Sequence, residues 1–173
     1  MSGEEREAHQ EDPARRDEGS GDSEATAWPG PGELTDLAPL RAAYDPRVLF
    51  AAATGTLARM HPPGAPYTAA IGAAQYHGGP LAARDRERCL IALLAAQKER
   101  MTLAVHIYWG LMEGLSIAEV AHTLLLTGIY AGTPAYANGL LVLEATRGQL
   151  AAAAAAGECG SAAVLGRLVA ALR

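Results

Sequence analysis

Aromatic residues are scarce in this chain: one phenylalanine, two tryptophans and six tyrosines make up 5% of 173 residues. Half of the residues are hydrophobic all the same. The core must therefore be built from aliphatic and small side chains, and abundant alanine and glycine predict closely packed helices. Cysteine is rarer still. Cys89 and Cys159 stand far apart and form no CxxC pair, which fits free thiols in a reducing compartment and excludes a disulfide framework. No basic excess exists either, since the formal net charge is −5 and the pI is near 5.5. That argues against a nucleic-acid partner, because a phosphate-binding surface normally carries a basic stripe. No run approaches about 18 apolar residues without polar interruption, so no membrane-spanning helix is expected. The opening MSGEEREAHQEDPARRDEGSGDSE has no apolar signal-peptide core, and the expectation is a soluble, cytoplasmic protein. A glycine-rich phosphate loop, a P-loop lysine and a GxSxG elbow are missing too, so no organic cofactor is expected.

What is there is helical periodicity. Residues 1–32 are polar and acidic, with almost nothing to bury, and are expected to be a disordered tail closed by the turn AWPGPG at 27–32. From Glu33 onward the apolar residues recur at helical spacing. Leu37, Leu40, Ala43 and Tyr44 start one segment, and Asp45 with Pro46 opens another over 45–60. HPPGAP at 61–66 is expected as a loop, and YTAAIGAAQYHGG at 67–79 as a short helix. ARDRERCLIALLAAQ (83–97) is an amphipathic helix that breaks near Lys98. A second helix runs from there to Gly114. Ser116 and Glu119 form a capping box for a third, which ends at Gly132. Thr133 is the expected N-cap of a fourth, with Pro134 at its first position. Nothing alternates with period two for long enough to make a strand. The fold class is all-α: a helical domain over 33–149 and an alanine-rich C-terminal helix over 150–173.

The polar groups of ERMTLAVHIYWGLMEGLS (99–116) pose the functional question. Glu99, Thr102, His106 and Glu113 fall within about 60° of arc at about 100° per residue. By periodicity alone this is a solvated face, opposite a core face of Met101, Ala104, Val105, Tyr108, Leu111 and Met112. Gly110 leaves open space one turn beyond His106, as a substrate would need. On the helix before, Glu87 lies on the same arc as Leu90, Ile91 and Leu94. A buried glutamate needs a partner, and Arg84 or Arg88 offers one; a pocket role is the other reading. The set Glu99, Thr102 and His106 lacks the spacing of a metal site, so no metal is expected.

RDRE opening a helix, a histidine one and a half turns into the next, EGLSIAEV and YAGTPAYANGL occur in that order over residues 80–146. Together they resemble the carboxymuconolactone decarboxylase and alkylhydroperoxidase D-like family. In its peroxidase branch a glutamate, a CxxC pair and a histidine act together; matched here, they fall on Glu87, Glu99 and Thr102, and His106. Both redox thiols are thus replaced, and a dithiol cycle needs an attacking and a resolving thiol. The resemblance therefore implies the decarboxylase branch, with no cofactor or metal. It also implies a homotrimer or hexamer with pockets near subunit contacts, where a polar stripe can line a site rather than face water.

The resulting expectation is a cofactor-independent lyase or isomerase for a small organic acid, a lactone or a natural-product intermediate. Glu87 and His106 are its candidate catalytic pair, and Glu99, Thr102 and Tyr130 are to orient His106 or hold the substrate. An imidazole titrates near neutrality, and a carboxyl buried among apolar groups holds its proton to higher pH than a free one. The richness in Ala, Gly, Pro and Arg hints at a GC-rich bacterial genome. The alternative is a catalytically inactive oligomeric scaffold or ligand-binding protein of the same fold.

Overall fold

The computed structural model describes residues 36–172, apart from 49, 52–54, 56–58, 60, 77 and 78. The tail expected over residues 1–32 lies outside them. So does much of the 45–60 segment, of which residues 46–48, 50, 51, 55 and 59 are helical. Among the described residues there is no strand, and no helix is long and apolar enough to cross a membrane.

The helices, in chain order, are α1 (Ala38–Ala42), a 3₁₀ turn (Pro62–Gly64), α2 (Ala65–Tyr76), α3 (Ala83–Gln97), α4 (Arg100–Met112), α5 (Ile117–Ala131), α6 (Thr133–Ala155) and α7 (Ser161–Leu172). HPPGAP is not a loop throughout. Its first two prolines, Pro62 and Pro63, start the 3₁₀ turn, and that turn runs directly into α2 at Ala65. Proline tolerates the first positions of a helix because the N–H it lacks has no intrahelical partner there.

The joints between helices are short and chemically specified. Lys98, at φ 59°, is the only non-glycine residue with positive φ among the described residues. Its N–H bonds to Ala95 O while Glu99 N–H reaches back to Leu94 O, the paired closure of a Schellman cap. Gly114, at φ 96°, closes α4 in the same way, with Leu115 N–H on Gly110 O at 2.8 Å. The capping box of α5 is present in full: Glu119 N–H donates to Ser116 Oγ, and Ser116 N–H donates to Glu119 Oε2. Hydrogen bonds from Ser116, then Arg84, hold the Glu119 carboxyl below the usual carboxylate range. Between α5 and α6 the cap is Gly132 rather than Thr133, which is already helical. Gly132, at φ 91°, ends one helix and begins the next.

Helix α4 is the centre of the bundle. From Leu103 to Met112 every residue is buried except the half-buried Val105. It is enclosed mainly by α3, α6 and α7, so the expected division into a wet and an apolar face does not exist. Only the ends are wet: Glu99, Thr102 and Met101 are exposed, and Glu113 is half-buried. Met101 therefore stands outside the core.

Gly110 leaves no open space beside His106. A Cβ there would lie 2.8 Å from Leu115 Cδ1, 3.1 Å from Ile91 Cδ1 and 3.6 Å from Glu87 Cβ. Its lack of a side chain is what lets α3 approach α4 so closely. The alanine tract is no appendix either, because α6 continues unbroken from 149 to Ala155. After Gly157 the chain returns as α7, which docks through Val164 and Leu168.

Candidate active site

The close approach of α3 and α4 brings Glu87 and His106 together. Glu87 sits in the second turn of α3 on its inner face, and His106 sits in the middle of α4. Their relative exposures are 1% and 8%. Glu87 Oε2 and His106 Nδ1 are 2.7 Å apart, a buried hydrogen bond spanning 19 residues of sequence. Two buried polar groups that would each be costly alone satisfy one another.

Two neighbours fix this pair. Trp109, one turn along α4, meets the imidazole edge-on, with ring centroids 4.8 Å apart and an interplanar angle of 79°. Arg86 Nε lies 3.6 Å from Glu87 Oε1, the oxygen that His106 does not use. Neither Arg84 nor Arg88 is the partner of Glu87. Both turn outward to Glu119 Oε1, and Arg88 also reaches Asp85. Arg84 shares a helix face with Glu87 because it stands three residues away, whereas Arg88 is adjacent and offered only proximity in sequence. Glu119, brought in by α5, takes both.

The other candidates are placed differently. Glu99 is the N-cap of α4, and its Oε2 accepts the Thr102 N–H at 2.9 Å. Glu99 and Thr102 are thus joined to each other at the exposed start of the helix whose middle carries His106. Tyr130 is 90% exposed near the end of α5. It borders a groove of about 300 Å³ between α3 and α5, together with Arg88, Cys89, Ala92, Thr123 and Leu126. Neither Glu87 nor His106 lines that groove. Cys89 is exposed, Cys159 is half-buried, and both are free thiols.

Arg86 and Trp109 were missed in the sequence. Trp109 left a signal, since residues three apart on a helix are neighbours. Arg86 left none, because adjacent helical residues do not normally face each other.

The helices that carry this pair fall inside a recognisable family segment. Residues 62–145 match the model of the carboxymuconolactone decarboxylase family, and this segment is what the chain shares with that family. The match begins earlier than the 80–146 resemblance and takes in the 3₁₀ turn and α2. No curated protein and no solved structure matches the chain.

Proposed function

We propose that this protein is a cofactor-independent acid–base enzyme acting on a small organic acid, a lactone or a related natural-product intermediate. The reaction class is decarboxylation, isomerisation or cyclisation. The observation that carries this is the buried 2.7 Å contact of Glu87 Oε2 with His106 Nδ1, inside a segment of the carboxymuconolactone decarboxylase family. Such reactions move a proton to or from carbon while negative charge builds on a neighbouring carbonyl. An imidazole held by a carboxylate through one nitrogen exchanges that proton through the other, Nε2, and the carboxylate stabilises the imidazolium formed. His106 keeps 10% of its side chain exposed, and substrate is proposed to reach Nε2 there.

Glu99 and Thr102 are proposed to hold substrate at the open end of α4. Tyr130 takes part only in an assembled oligomer, where its exposed ring would be covered. A homotrimer or hexamer is proposed. It is supported by the exposed Leu125, Leu126 and Ile129 beside Tyr130 on α5, since clustered apolar exposure marks association surfaces. The site is proposed to run without metal or thiol chemistry, because the thiols that remain, Cys89 on α3 and Cys159 before α7, sit on separate elements.

The test is turnover of a panel of small unsaturated acids and lactones, followed by proton NMR and carbon dioxide release. His106→Gln and Glu87→Gln should each lower turnover by about 100-fold or more, and the double variant should be little worse than either. The double change Cys89→Ser, Cys159→Ser should leave turnover intact. Near-normal turnover in both single variants, with folding preserved, would sink the Glu87–His106 mechanism, and no turnover of the panel by the parent would favour the inactive scaffold instead.

A further inference from the structure

We infer that Arg86 is a positioning residue that decides which partner of the Glu87–His106 pair carries the shared proton. Its meaning for catalysis rests on the function proposed above, although the contacts stand without it. The 2.7 Å contact permits two arrangements. In one, Nδ1–H donates to a Glu87 carboxylate and Nε2 bears a free lone pair. In the other, Glu87 is protonated and donates to Nδ1, and the hydrogen of the imidazole sits on Nε2. Only the first leaves a base directed away from Glu87 and toward a substrate.

The edge-on Trp109 ring, 4.8 Å away between centroids, restrains the imidazole and is common to both arrangements. The choice falls to the charges around Glu87. Arg84 and Arg88 are held by Glu119, and Asp85 is held by Arg88. Arg86 alone turns inward, with its side chain 21% exposed and its Nε 3.6 Å from Glu87 Oε1. That Nε is buried and has no hydrogen-bond acceptor among the described residues. Nothing else in the described protein competes with Glu87 for this end of the guanidinium. The buried Nε of this cation stands against Oε1, where it attracts a charged carboxylate oxygen more strongly than a neutral one. The two oxygens are then divided: Oε1 faces the fixed cation, and Oε2 accepts from Nδ1–H. Arginine suits the role because it cannot lose its own proton under these conditions.

The experiment reads the proton directly, by ¹⁵N-imidazole NMR of the full chain at neutral pH. In the parent, His106 should be the Nδ1–H tautomer, with that proton protected from solvent. In Arg86→Met and Arg86→Gln the tautomer should shift toward Nε2–H, or the proton should exchange at least about tenfold faster. Arg86→Lys, which keeps the charge, should restore the parent signal, and Glu87→Gln should abolish it. An Nε2–H tautomer in the parent overturns the inference, even if the neutral variants fail to fold. Parent-like tautomer and exchange in Arg86→Met and Arg86→Gln also overturn it. A shifted tautomer in those variants alongside full turnover in His106→Gln would instead keep the role of Arg86 and sink the acid–base function.

Discussion

Ser161 Oγ accepts the backbone N–H of Asp45 at 2.8 Å, across 116 residues of sequence. The same hydroxyl lies 3.4 Å from the Tyr108 hydroxyl. One small side chain at the start of α7 thus ties the last helix both to the loop after α1 and to central α4. Ser161→Ala leaves the Asp45 N–H without its acceptor and should cost about 1–2 kcal/mol. Urea denaturation checks this, and an unchanged midpoint would contradict it.

Burial pushes the Tyr108 hydroxyl above its usual value of 10.0; the Ser161 hydrogen bond opposes this and nearby Cys159 adds to it. Folding therefore favours the neutral phenol. Its contribution is fully present below the unfolded value near 10 and is lost as pH rises through the higher folded value. Thermal melts across alkaline pH should show a fall in stability that is shallower in Tyr108→Phe. Parallel curves for the two proteins would refute this assignment.

Glu87 and His106 should also be coupled in stability. His106→Leu strands a buried carboxylate, and Glu87→Met strands a buried imidazole, so each should destabilise the fold. Replacing both removes the mismatch, and the double-mutant cycle should show a coupling of about 1–3 kcal/mol. Additive losses would mean that the pair does not interact in solution.

Two glycines should respond oppositely to alanine. At Gly110 the new methyl would meet Leu115 at 2.8 Å and Ile91 at 3.1 Å, and overpacking of this kind costs about 1–3 kcal/mol. At Gly148, exposed in α6 with nothing within 4 Å of the new atom, alanine should stabilise the helix by about 0.5–1 kcal/mol. Chemical denaturation of both variants, with shifts of the same sign, would contradict the packing described for α3 and α4.

The helix boundaries of 83–97 and the capping box at Ser116 were legible because both rest on local chemistry: apolar period, a cap residue and a carboxylate three positions on. What surrounds α4 was not. The stripe of Glu99, Thr102, His106 and Glu113 has the spacing of a wet face, and nothing local shows that packing against neighbouring helices buries its middle at His106 while Glu99 and Thr102 stay exposed. Gly110 misled for the same reason. A missing side chain means room or close contact depending on what faces it, and Leu115 and Ile91 face it here. Glu87 was legible as an oddity on an apolar arc. Its link to His106 came through the family pattern, and its contact with Arg86 depends on a side-chain direction that no periodicity encodes.

A helix enclosed on every side has a history in each newly made copy of the chain. The stretch LAVHIYWGLM (103–112) leaves the ribosome well before α6 and α7, which supply much of its cover. Until they arrive, a sticky segment rich in Leu, Ile, Tyr and Trp stands open to other nascent chains, the kind of window in which aggregation begins. The charged residues on either side, Lys98, Glu99 and Arg100 before it and Glu113 after it, stand where gatekeepers against such encounters belong.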